Sequence, residues 1–449
     1  MPSPPFARTT VLALLAGSAL LLVAGGLVLR GSRSGPFGQA APAPRAAAPV
    51  APPPLHWTAE AMRQLLAAVE ASRDEGLHPA DYQHDALAAA IGSGRTDAAA
   101  DALATASARM LARDYADGHV HQRARFDWHV GHSPAALATL DADLRAAVTA
   151  GTTGAYLRGL LPHDARYLAL RDALRDTPPG DTARIAHIRA SMERWRWMPR
   201  ALGDDYVWVN VPTYTLALMH DDRAVATHVV VVGAPRTPTP MLSATIGSVI
   251  VNPWWTLPPK VLAEGQGKRY AAARGFVYVT IGGKAYVRQR PGPDNALGRM
   301  KIDMPNAYAI YLHDTPAKWA FARSQRALSH GCIRVQDIAG LAGDLTAPAT
   351  IGSALTDFTT HTLPIARSVP VYIVYFTAAP DADGHVVIYG DPYDRDDELV
   401  AALDHKRFRR ADPAPAAKRS SLTPKRESAT NSAAAEPERA ENPGTNATY

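Results

Sequence analysis

The apolar side chains of this chain change their spacing along its length, and the change predicts two kinds of domain. From about residue 55 to residue 178 they recur every three to four positions, as in the run Met62–Val69, which is typical of amphipathic helices. Thr177-Pro178-Pro179-Gly180 then interrupts the pattern, and one more helical run follows with a tryptophan-rich cluster at its end. We therefore expect an all-α domain over 55–178 and a connecting helix over 182–199.

Beyond residue 200 the spacing of apolar side chains becomes two, which is the spacing of β-strands. Tyr206 to Val211 alternates in this way, and Pro212 ends the run. Similar runs follow, separated by proline, glycine and asparagine: His228–Val232, Ser248–Val251, Phe276–Ile281, Ala307–Leu312 and Val369–Phe376. Many short strands with few helices predict a β-rich domain over 200–378, so the chain is expected to be α+β. A hairpin at Asp381–Gly390 is expected within a C-terminal extension, 379–404, that packs on this domain.

The two ends of the chain differ from its middle in composition. Val11 to Leu29 carries no charge and is about as long as a bilayer-spanning helix, so residues 1–34 are predicted to be a signal or membrane anchor. Whether this segment is cleaved stays open. Residues 35–54 are mostly proline and alanine and predict a semi-rigid tether. Residues 405–449 are rich in lysine, arginine, proline and glutamate and predict a disordered basic tail.

The overall composition is that of a globular protein with a mild basic excess. Apolar residues make up 47% of the chain and charged residues 20%, with a net charge of +5. This excess suits an anionic polymer, an acidic membrane face or a carboxylate-rich substrate, and it is equally compatible with no such partner. Four histidines of the helical part have no repeated ligand spacing and no cysteine beside them, so neither a metal nor a cofactor is expected: His119, His121, His129 and His132.

The chain contains a single cysteine, Cys332, in an exported sequence where an unused free thiol is unexpected. His313 lies upstream at the end of an apolar run, where a sheet edge would hold it as a base. Arg334 is two residues after Cys332, so in an extended strand both side chains lie on the same face. There Arg334 would lower the thiol pKa and bind a substrate carboxylate. The N–H groups of Gly331 and Cys332 would hold an oxyanion. The alternative from the residues alone is a small buried cysteine with a structural role.

Several motifs in the same order resemble the L,D-transpeptidases, which have a YkuD-type catalytic domain. The site motifs are His313-Asp314-Thr315-Pro316 and Ser329-His330-Gly331-Cys332-Ile333-Arg334-Val335. Upstream motifs also agree with the branch that carries a large helical scaffold, as in many Gram-negative bacteria: residues 193–199, 209–212, 251–255 and 288–298. The resemblance covers roughly residues 60 to 400 and implies a mixed β-sandwich for the catalytic domain.

The resemblance implies a mechanism through a cysteine thioester. Cys332 would attack a peptide bond of a peptidoglycan stem, and an amine of a neighbouring stem would resolve the thioester into a crosslink. By motif position His313 is the general base, His330 a second histidine of the site, and Gly331 an oxyanion donor. The backbone carbonyl of Asp314 would orient the base. Acylation by carbapenems is expected, because it uses the same nucleophile.

The resemblance also implies a set of substrate-binding residues and a capping segment. Arg334 is the substrate-facing arginine, and the other residues of this set are Ser329, Tyr311, Asn252, Trp255 and Asn295. The capping segment is expected at Pro258–Gln289, with cations that suit a carboxylate-rich stem: Lys260, Lys268, Arg269 and Arg274.

One departure and several alternatives remain at this stage. The peptidoglycan-binding module of related proteins has no room between Leu174 and Glu193. The donor bond, at the third or the first stem residue, therefore stays open. Water in place of the amine would make the protein an L,D-carboxypeptidase or hydrolase, and a non-catalytic wall-binding scaffold is a third reading. Expected partners are diaminopimelate-containing stems, the inner membrane and other wall-synthesis enzymes, but not nucleic acid, and the expected location is the periplasm.

Overall fold

The computed structural model describes residues 54–131, 135–264 and 272–405. The predicted signal or anchor, the tether up to residue 53 and the tail from residue 406 lie outside the described residues. Within the described ranges, no helix combines the length and apolar character needed to cross a membrane.

The first part of the described chain is helical, as the spacing predicted. Its helices are α1 (Ala59–Ala71), α2 (His84–Gly92), α3 (Ala98–Asp117), α4 (Ala135–Thr149), α5 (Thr153–Gly159) and α6 (Ala165–Asp176). Side-chain oxygens cap three of the N-termini that the structure describes in this part of the chain: Thr58 accepts from the N–H of Ala61, Asp97 from that of Ala100 and Asp164 from that of Arg166. Residues 177–181 alone connect α6 to the next helix.

Helix α7 (Thr182–Arg196) joins the helices to the sheet. Its last turn is buried, although it carries three charged side chains. Arg196 pairs with Glu193 at 2.7 Å, and Arg194 pairs with Asp396 at 2.6 Å. Trp195 stacks on Trp208 of the sheet with 5.6 Å between ring centroids. The charges are thus neutralised within the interface that the aromatic rings fill.

The rest of the fold is built on a mixed sheet, which confirms the α+β prediction. Its strands are β1 (Trp128–His129), β2 (Asp205–Asn210), β3 (Thr215–His220), β4 (Arg223–Gly233), β5 (Met241–Thr245), β6 (Ser248–Val251), β10 (Met300–Asp303), β11 (Leu312–His313), β12 (Ala327–Ser329), β13 (Ile333–Val335), β14 (His361–Pro364) and β15 (Pro370–Val374). The order is β1-β5-β15-β2-β3-β4-β13-β11-β10-β6-β14, with β12 also paired to β4.

Strand β4 belongs to both halves of this sheet. Its first part pairs with β3 as far as Val229, and its second part pairs with β13 at Val230 and Val231. Side chains from both halves and from the helices join one hydrophobic cluster, represented by Leu65, Val207 and Ile302, each fully buried. The helical part and the sheet therefore share a single core.

A second, smaller sheet corresponds to the predicted capping segment. It consists of β7 (Trp255–Thr256), β8 (Phe276–Ile281) and β9 (Lys284–Gln289) in the order β7-β9-β8, and α8 (Pro259–Glu264) follows β7. Leu257, Phe276 and Val287 form a separate apolar cluster with Trp255 against it. The capping sheet therefore has its own small core.

The sequence prediction was wrong at two places in the β domain. Helices α9 (Ile338–Leu345) and α10 (Pro348–Ala354) were not foreseen. The predicted strand Ala307–Leu312 is irregular as far as Tyr311, and Ala309 has φ of +53°. Asn306 explains this, because its side-chain oxygen accepts from the N–H groups of Tyr308 and Ile310 in place of a neighbouring strand.

The C-terminal extension contacts the helices as well as the sheet. It contains the hairpin of β16 (Ala378–Pro380) and β17 (Val386–Ile388), followed by α11 (Asp396–Leu403). Helix α11 lies against α7, and the hairpin lies against α6 and α7. Asp396 of α11 is the buried acceptor for Arg194. The extension thus packs on the connecting helix, beyond the contact with the β domain that was expected.

Candidate active site

The strand register places a set of polar side chains on one face of the sheet. Lys301 of β10 lies opposite His313 of β11, which lies opposite Arg334 of β13. Asp303 lies two residues further along β10, and Tyr311 and Cys332 directly precede β11 and β13; these three side chains form a second row on this face, since side chains alternate between faces. The N–H of Ile333 donates to the carbonyl of Tyr311 at 3.1 Å, which holds that row in register.

Buried apolar residues alternate with the polar residues of this face. The residues between these polar positions point into the core on the opposite face and are fully buried: Ile302, Leu312 and Ile333. The alternation of buried and functional residues therefore fixes which side chains can meet. We call the six side chains on the open face the polar grid: Lys301, Asp303, Tyr311, His313, Cys332 and Arg334.

His313 is buried and held in the tautomer that a general base needs. Its Nδ1 donates to the backbone carbonyl of Asp314, which can only accept, so Nε2 is left as the proton acceptor. Burial, together with the positive charges of Arg334 and Lys301, lowers the pKa of His313 to about 3. The ring is therefore neutral. The expected sheet edge is corrected, because β11 lies between β10 and β13.

The thiol of Cys332 is held as a thiol in the resting site. Burial raises its pKa above the ordinary value of 9.0, and this outweighs the opposing effects of Tyr311, Lys301 and Arg334. The S–H group donates to the backbone carbonyl of Ala309 across 3.7 Å. The expectation that neighbouring cations would lower the thiol pKa is therefore wrong in its net direction, because burial has the larger effect.

Tyr311 connects the thiol to the capping sheet. Its hydroxyl lies near enough to the side chains of Cys332 and Trp255 to interact with both, and burial raises its pKa well above the ordinary value of 10.0. The ammonium group of Lys301 lies 4.3 Å from the centroid of its ring. Tyr311 therefore stays protonated beside the sulfur, and Trp255 reaches the site through it.

Arg334 is an arginine without an acidic partner among the described residues. It is largely buried, and its Nε has no hydrogen-bond partner. Burial lowers its pKa from the ordinary value of 12.5. A guanidinium nevertheless keeps its charge at neutral pH. A buried guanidinium with an unused donor, beside the thiol, is suited to bind an anionic group of a ligand.

The loop that carries Cys332 is fastened by threonines of the β4–β5 connection. Thr237 Oγ1 donates to the carbonyl of Ser329 at 2.9 Å, and Thr239 Oγ1 donates to that of Gly331 at 2.6 Å. Tyr393, from the C-terminal extension, accepts from the N–H of Thr239 and donates to the carbonyl of Gly233 at 2.7 Å. Cys332 is thus held in place by residues that lie far from it in sequence.

Three predicted site residues of this loop have other roles in the structure. Gly331 donates its N–H to Ser329 Oγ at 3.1 Å, so that donor is occupied in the resting site. Ser329 is buried and also donates to the carbonyl of Cys332 at 2.6 Å, which makes it a brace of the loop. His330 is exposed at the surface of the loop, whereas His313 is the buried imidazole of the site.

Two predicted substrate-binding asparagines are corrected to structural residues. Asn252 is buried with φ of +53°, and its amide donates to the backbone carbonyls of Ala354, Asp357 and Thr359. Asn295 is buried as well, and its amide donates to the carbonyls of Pro253 and Arg290. Both amide nitrogens are consumed by backbone carbonyls, and the side-chain oxygen of Asn252 accepts from Arg299 Nε at 2.7 Å.

The remaining predicted cations and histidines lie away from the polar grid or outside the described residues. His119 is buried against Asp114 at 2.8 Å, and His129 bonds Asp127 at 2.9 Å. Arg274 is exposed on the capping segment. Outside the description are His132, Lys268, Arg269 and the side chain of Lys260.

Sequence reasoning missed three residues around the thiol. Lys301 and Asp303 alternate with buried Met300 and Ile302, and this period of two was the available signal. Asn306 makes four hydrogen bonds to the backbone between Met304 and Ile310, and its position before an apparent strand gave no sign of them.

Comparison with known proteins relates both parts of the chain to described families. Residues 204–373 match the family described as the L,D-transpeptidase catalytic domain (YkuD), and residues 54–174 match the Scaffold domain. A curated Haemophilus influenzae protein, named "Putative L,D-transpeptidase", is 31% identical over 224 residues, which make up 44% of this chain and 45% of that protein. The match thus spans less than half of that relative.

Two solved structures are similar at low sequence identity. The L,D-transpeptidase from Mycobacterium smegmatis is 13% identical with a TM-score of 0.21, over 38% of this chain and 58% of that one. L,D-transpeptidase 3 from Mycobacterium tuberculosis is 14% identical with a TM-score of 0.21, over 38% of this chain and 61% of that one.

Proposed function

We propose that this chain is an L,D-transpeptidase whose catalytic domain follows a Scaffold domain, and that it forms peptidoglycan crosslinks through a thioester on Cys332. The observation that supports this most directly is the polar grid. It brings the single thiol, a neutral imidazole and an unpaired arginine onto one open face of the sheet.

In the first half-reaction Cys332 Sγ attacks a carbonyl carbon of the donor stem. The S–C bond forms while Nε2 of His313 accepts the thiol proton, which the neutral ring is ready to do. The tetrahedral intermediate then collapses, its C–N bond breaks, and His313 returns the proton to the leaving amine. The product of this half-reaction is the thioester.

The second half-reaction transfers the acyl group to an amine of another stem. The amine attacks the thioester, gives its proton to His313, and the sulfur leaves and is reprotonated. The Tyr311 hydroxyl and the N–H of Cys332 are the proposed oxyanion donors, because Gly331 already donates to Ser329. Arg334 binds a substrate carboxylate through its unused donors.

Carbapenem acylation tests the nucleophile. The purified protein is incubated with a carbapenem and its intact mass is measured; we expect an increase equal to one drug molecule. The increase is expected to disappear in Cys332→Ala and to persist in His330→Gln, whose histidine lies exposed in the same loop. An adduct that persists in Cys332→Ala would overturn the proposed chemistry.

The transfer step needs a separate measurement, because a hydrolase would use the same residues. Sacculi are incubated with the wild-type protein and with Cys332→Ala, digested to muropeptides and analysed by mass spectrometry. The proposal expects dimers with L,D bonds from the wild type alone. Trimmed monomers without such dimers would instead establish an L,D-carboxypeptidase.

We also propose that the protein acts outside the cytoplasm, in the periplasm or on the inner membrane. The uncharged run Val11–Leu29 and a wall polymer as substrate support this location. A reporter enzyme that is active only after export, fused after residue 405, is expected to be active. Loss of that activity on deletion of residues 1–34 is the expected control result.

A further inference from the structure

The polar grid contains an ion pair that the proposed chemistry does not use. Lys301 Nζ lies 2.7 Å from Asp303 Oδ1, and the side chains are 20% and 36% exposed. Both residues lie on the same face of β10 as the nucleophile. Lys301 also influences the pKa values of His313 and Cys332, so its charge is felt at the reacting atoms.

The distance from the Lys301–Asp303 pair to the thiol follows from the second row of the polar grid, which contains Asp303, Tyr311 and Cys332. Asp303 is the last residue of β10, Tyr311 and Cys332 directly precede the adjacent strands β11 and β13, and Asp303 and Cys332 both act electrostatically on Tyr311. Adjacent strands lie about 4.8 Å apart, so the Cα atoms of Asp303 and Cys332 are separated by roughly 10 Å. Both side chains rise from the same face, so a ligand between them must span a similar distance.

The charges of the pair determine which kind of group fits it. A lone anion would engage Lys301 and leave Asp303 without its partner beside a like charge, and a lone cation would do the reverse. A carbon that bears both an ammonium and a carboxylate satisfies both side chains at once. The chemistry is therefore that of a free amino-acid head group.

We propose that Lys301 and Asp303 bind the amino-acid head group at the side-chain end of the donor stem's diaminopimelate, with Lys301 on its carboxylate and Asp303 on its ammonium. This inference rests on the proposed function, which supplies the substrate class. It assigns a specificity site to two residues that have no part in the proton transfers.

The length of the substrate agrees with the distance in the grid. Five C–C bonds of about 1.5 Å separate the attacked carbonyl carbon from the head-group carbon, a span of roughly 6 Å when extended. The C–S bond and one hydrogen bond of about 2.8 Å bring the total to roughly 10 Å. The head group thus reaches Asp303 while its own carbonyl is bonded to Cys332.

The distance between Asp303 and Cys332 also selects which stem binds to the pair and which peptide bond Cys332 attacks. The amine of an acceptor head group must reach the thioester carbon on Cys332, so it cannot lie at Asp303 at the same time. Lys301 and Asp303 therefore bind the head group of the donor stem. They can do this only when Cys332 attacks the carbonyl of the diaminopimelate itself. This selects the third stem residue, and with it a crosslink that starts from that residue.

The test uses three synthetic tetrapeptide stems that differ only at the third residue. One carries meso-diaminopimelate, one L-lysine, which lacks the head-group carboxylate, and one L-2-aminopimelate, which lacks the head-group ammonium. The purified protein is assayed for release of the fourth residue, and kcat/KM is compared between stems within each variant, so general effects on Cys332 cancel. The wild type is expected to prefer diaminopimelate by about ten- to a hundredfold, the range for one charge-assisted hydrogen bond.

Each variant is expected to lose only one of the two preferences. Lys301→Met should treat the lysine and diaminopimelate stems alike and still reject 2-aminopimelate, whereas Asp303→Asn should show the reverse. Lys301→Arg should keep both preferences, as should the control Lys284→Met at the exposed start of β9 in the capping sheet. Unchanged ratios in Lys301→Met and Asp303→Asn would overturn the inference. Carbapenem acylation of the wild type reports separately on the proposed function, since that drug lacks the head group.

Discussion

Cys332 and His313 are both uncharged in the resting site, and this predicts how the thiol reacts at different pH values. Burial raises the thiol pKa above its ordinary value of 9.0 and lowers the imidazole pKa to about 3, so the proton stays on sulfur and the thiolate–imidazolium pair is a minor species. Each pKa unit that separates the two groups lowers the population of that pair about tenfold.

Alkylation measures this equilibrium directly, because the chain has one cysteine and only the thiolate reacts. The rate constant for iodoacetamide is measured by intact mass from pH 5 to pH 10. We expect it to rise about tenfold per pH unit through neutrality, without a low-pH plateau. The midpoint should lie above that of the same protein unfolded in denaturant, because burial in the fold raises the thiol pKa.

A preformed thiolate–imidazolium pair would give the opposite result. The rate constant would then be constant between about pH 5 and pH 8, and His313→Gln would abolish the constant region. Such a plateau would refute the argument that burial outweighs the neighbouring cations. His330→Gln is the matched control and should leave the profile unchanged, since that ring is exposed.

Three further predictions concern stability and the support of the site. Asp396→Ala leaves Arg194 buried without its carboxylate and should lower the free energy of unfolding by about 3–5 kcal/mol, measured in urea. Gly298→Ala places a Cβ 2.3 Å from Asp314 Oδ2 at φ of +60°, so it should lower stability by about 2–4 kcal/mol and slow carbapenem acylation at least about tenfold. The fold lowers the pKa of His313 to about 3, so the contribution of His313 to stability is complete above about pH 6.5 and is lost as the pH falls towards 3. The difference in free energy of unfolding between wild type and His313→Gln should therefore shrink by up to about 1.4 kcal/mol per pH unit between about pH 6.5 and pH 3.

Matched controls separate these effects from general disturbance. Asp397→Ala, on the exposed face of α11, should leave stability within about 0.5 kcal/mol of the wild type. Gly283→Ala has a similar φ of +77° but no atom near the added Cβ, so it should keep normal acylation. A Gly298→Ala protein that acylates as fast as Gly283→Ala would contradict the steric argument. A pH-independent stability difference for His313→Gln would contradict the lowered pKa.

The sequence predicts those members of the polar grid whose relative positions follow from local spacing along a strand. Cys332 and Arg334 are two residues apart on a strand, and alternation alone puts them on one face. Their electrostatics could not be read in the same way, because burial depends on segments that cover the site and not on neighbours in sequence. The net rise in the thiol pKa is the result.

Other differences have equally specific causes. Asn252 resembles a ligand-binding residue in its motif, yet its partners are carbonyls at residues 354–359, about a hundred positions away. The run Ala307–Leu312 imitates a strand, but Asn306 provides its hydrogen bonds from within. Helix α9 follows from the sequence, because its buried residues have helical spacing: Ile338, Leu341, Ala342 and Leu345.

The hydroxyl of Tyr393 makes the support of the Cys332 loop depend on a part of the chain that is synthesised after the loop itself. It braces the connection that holds the Cys332 loop, yet it lies 61 residues further along the chain (393 − 332). A chain emerges from its N-terminus and folds as it appears, so the thiol is synthesised well before its brace. A chain that ends before residue 393 therefore lacks two of the hydrogen bonds that hold the β4–β5 connection, on which the Cys332 loop rests.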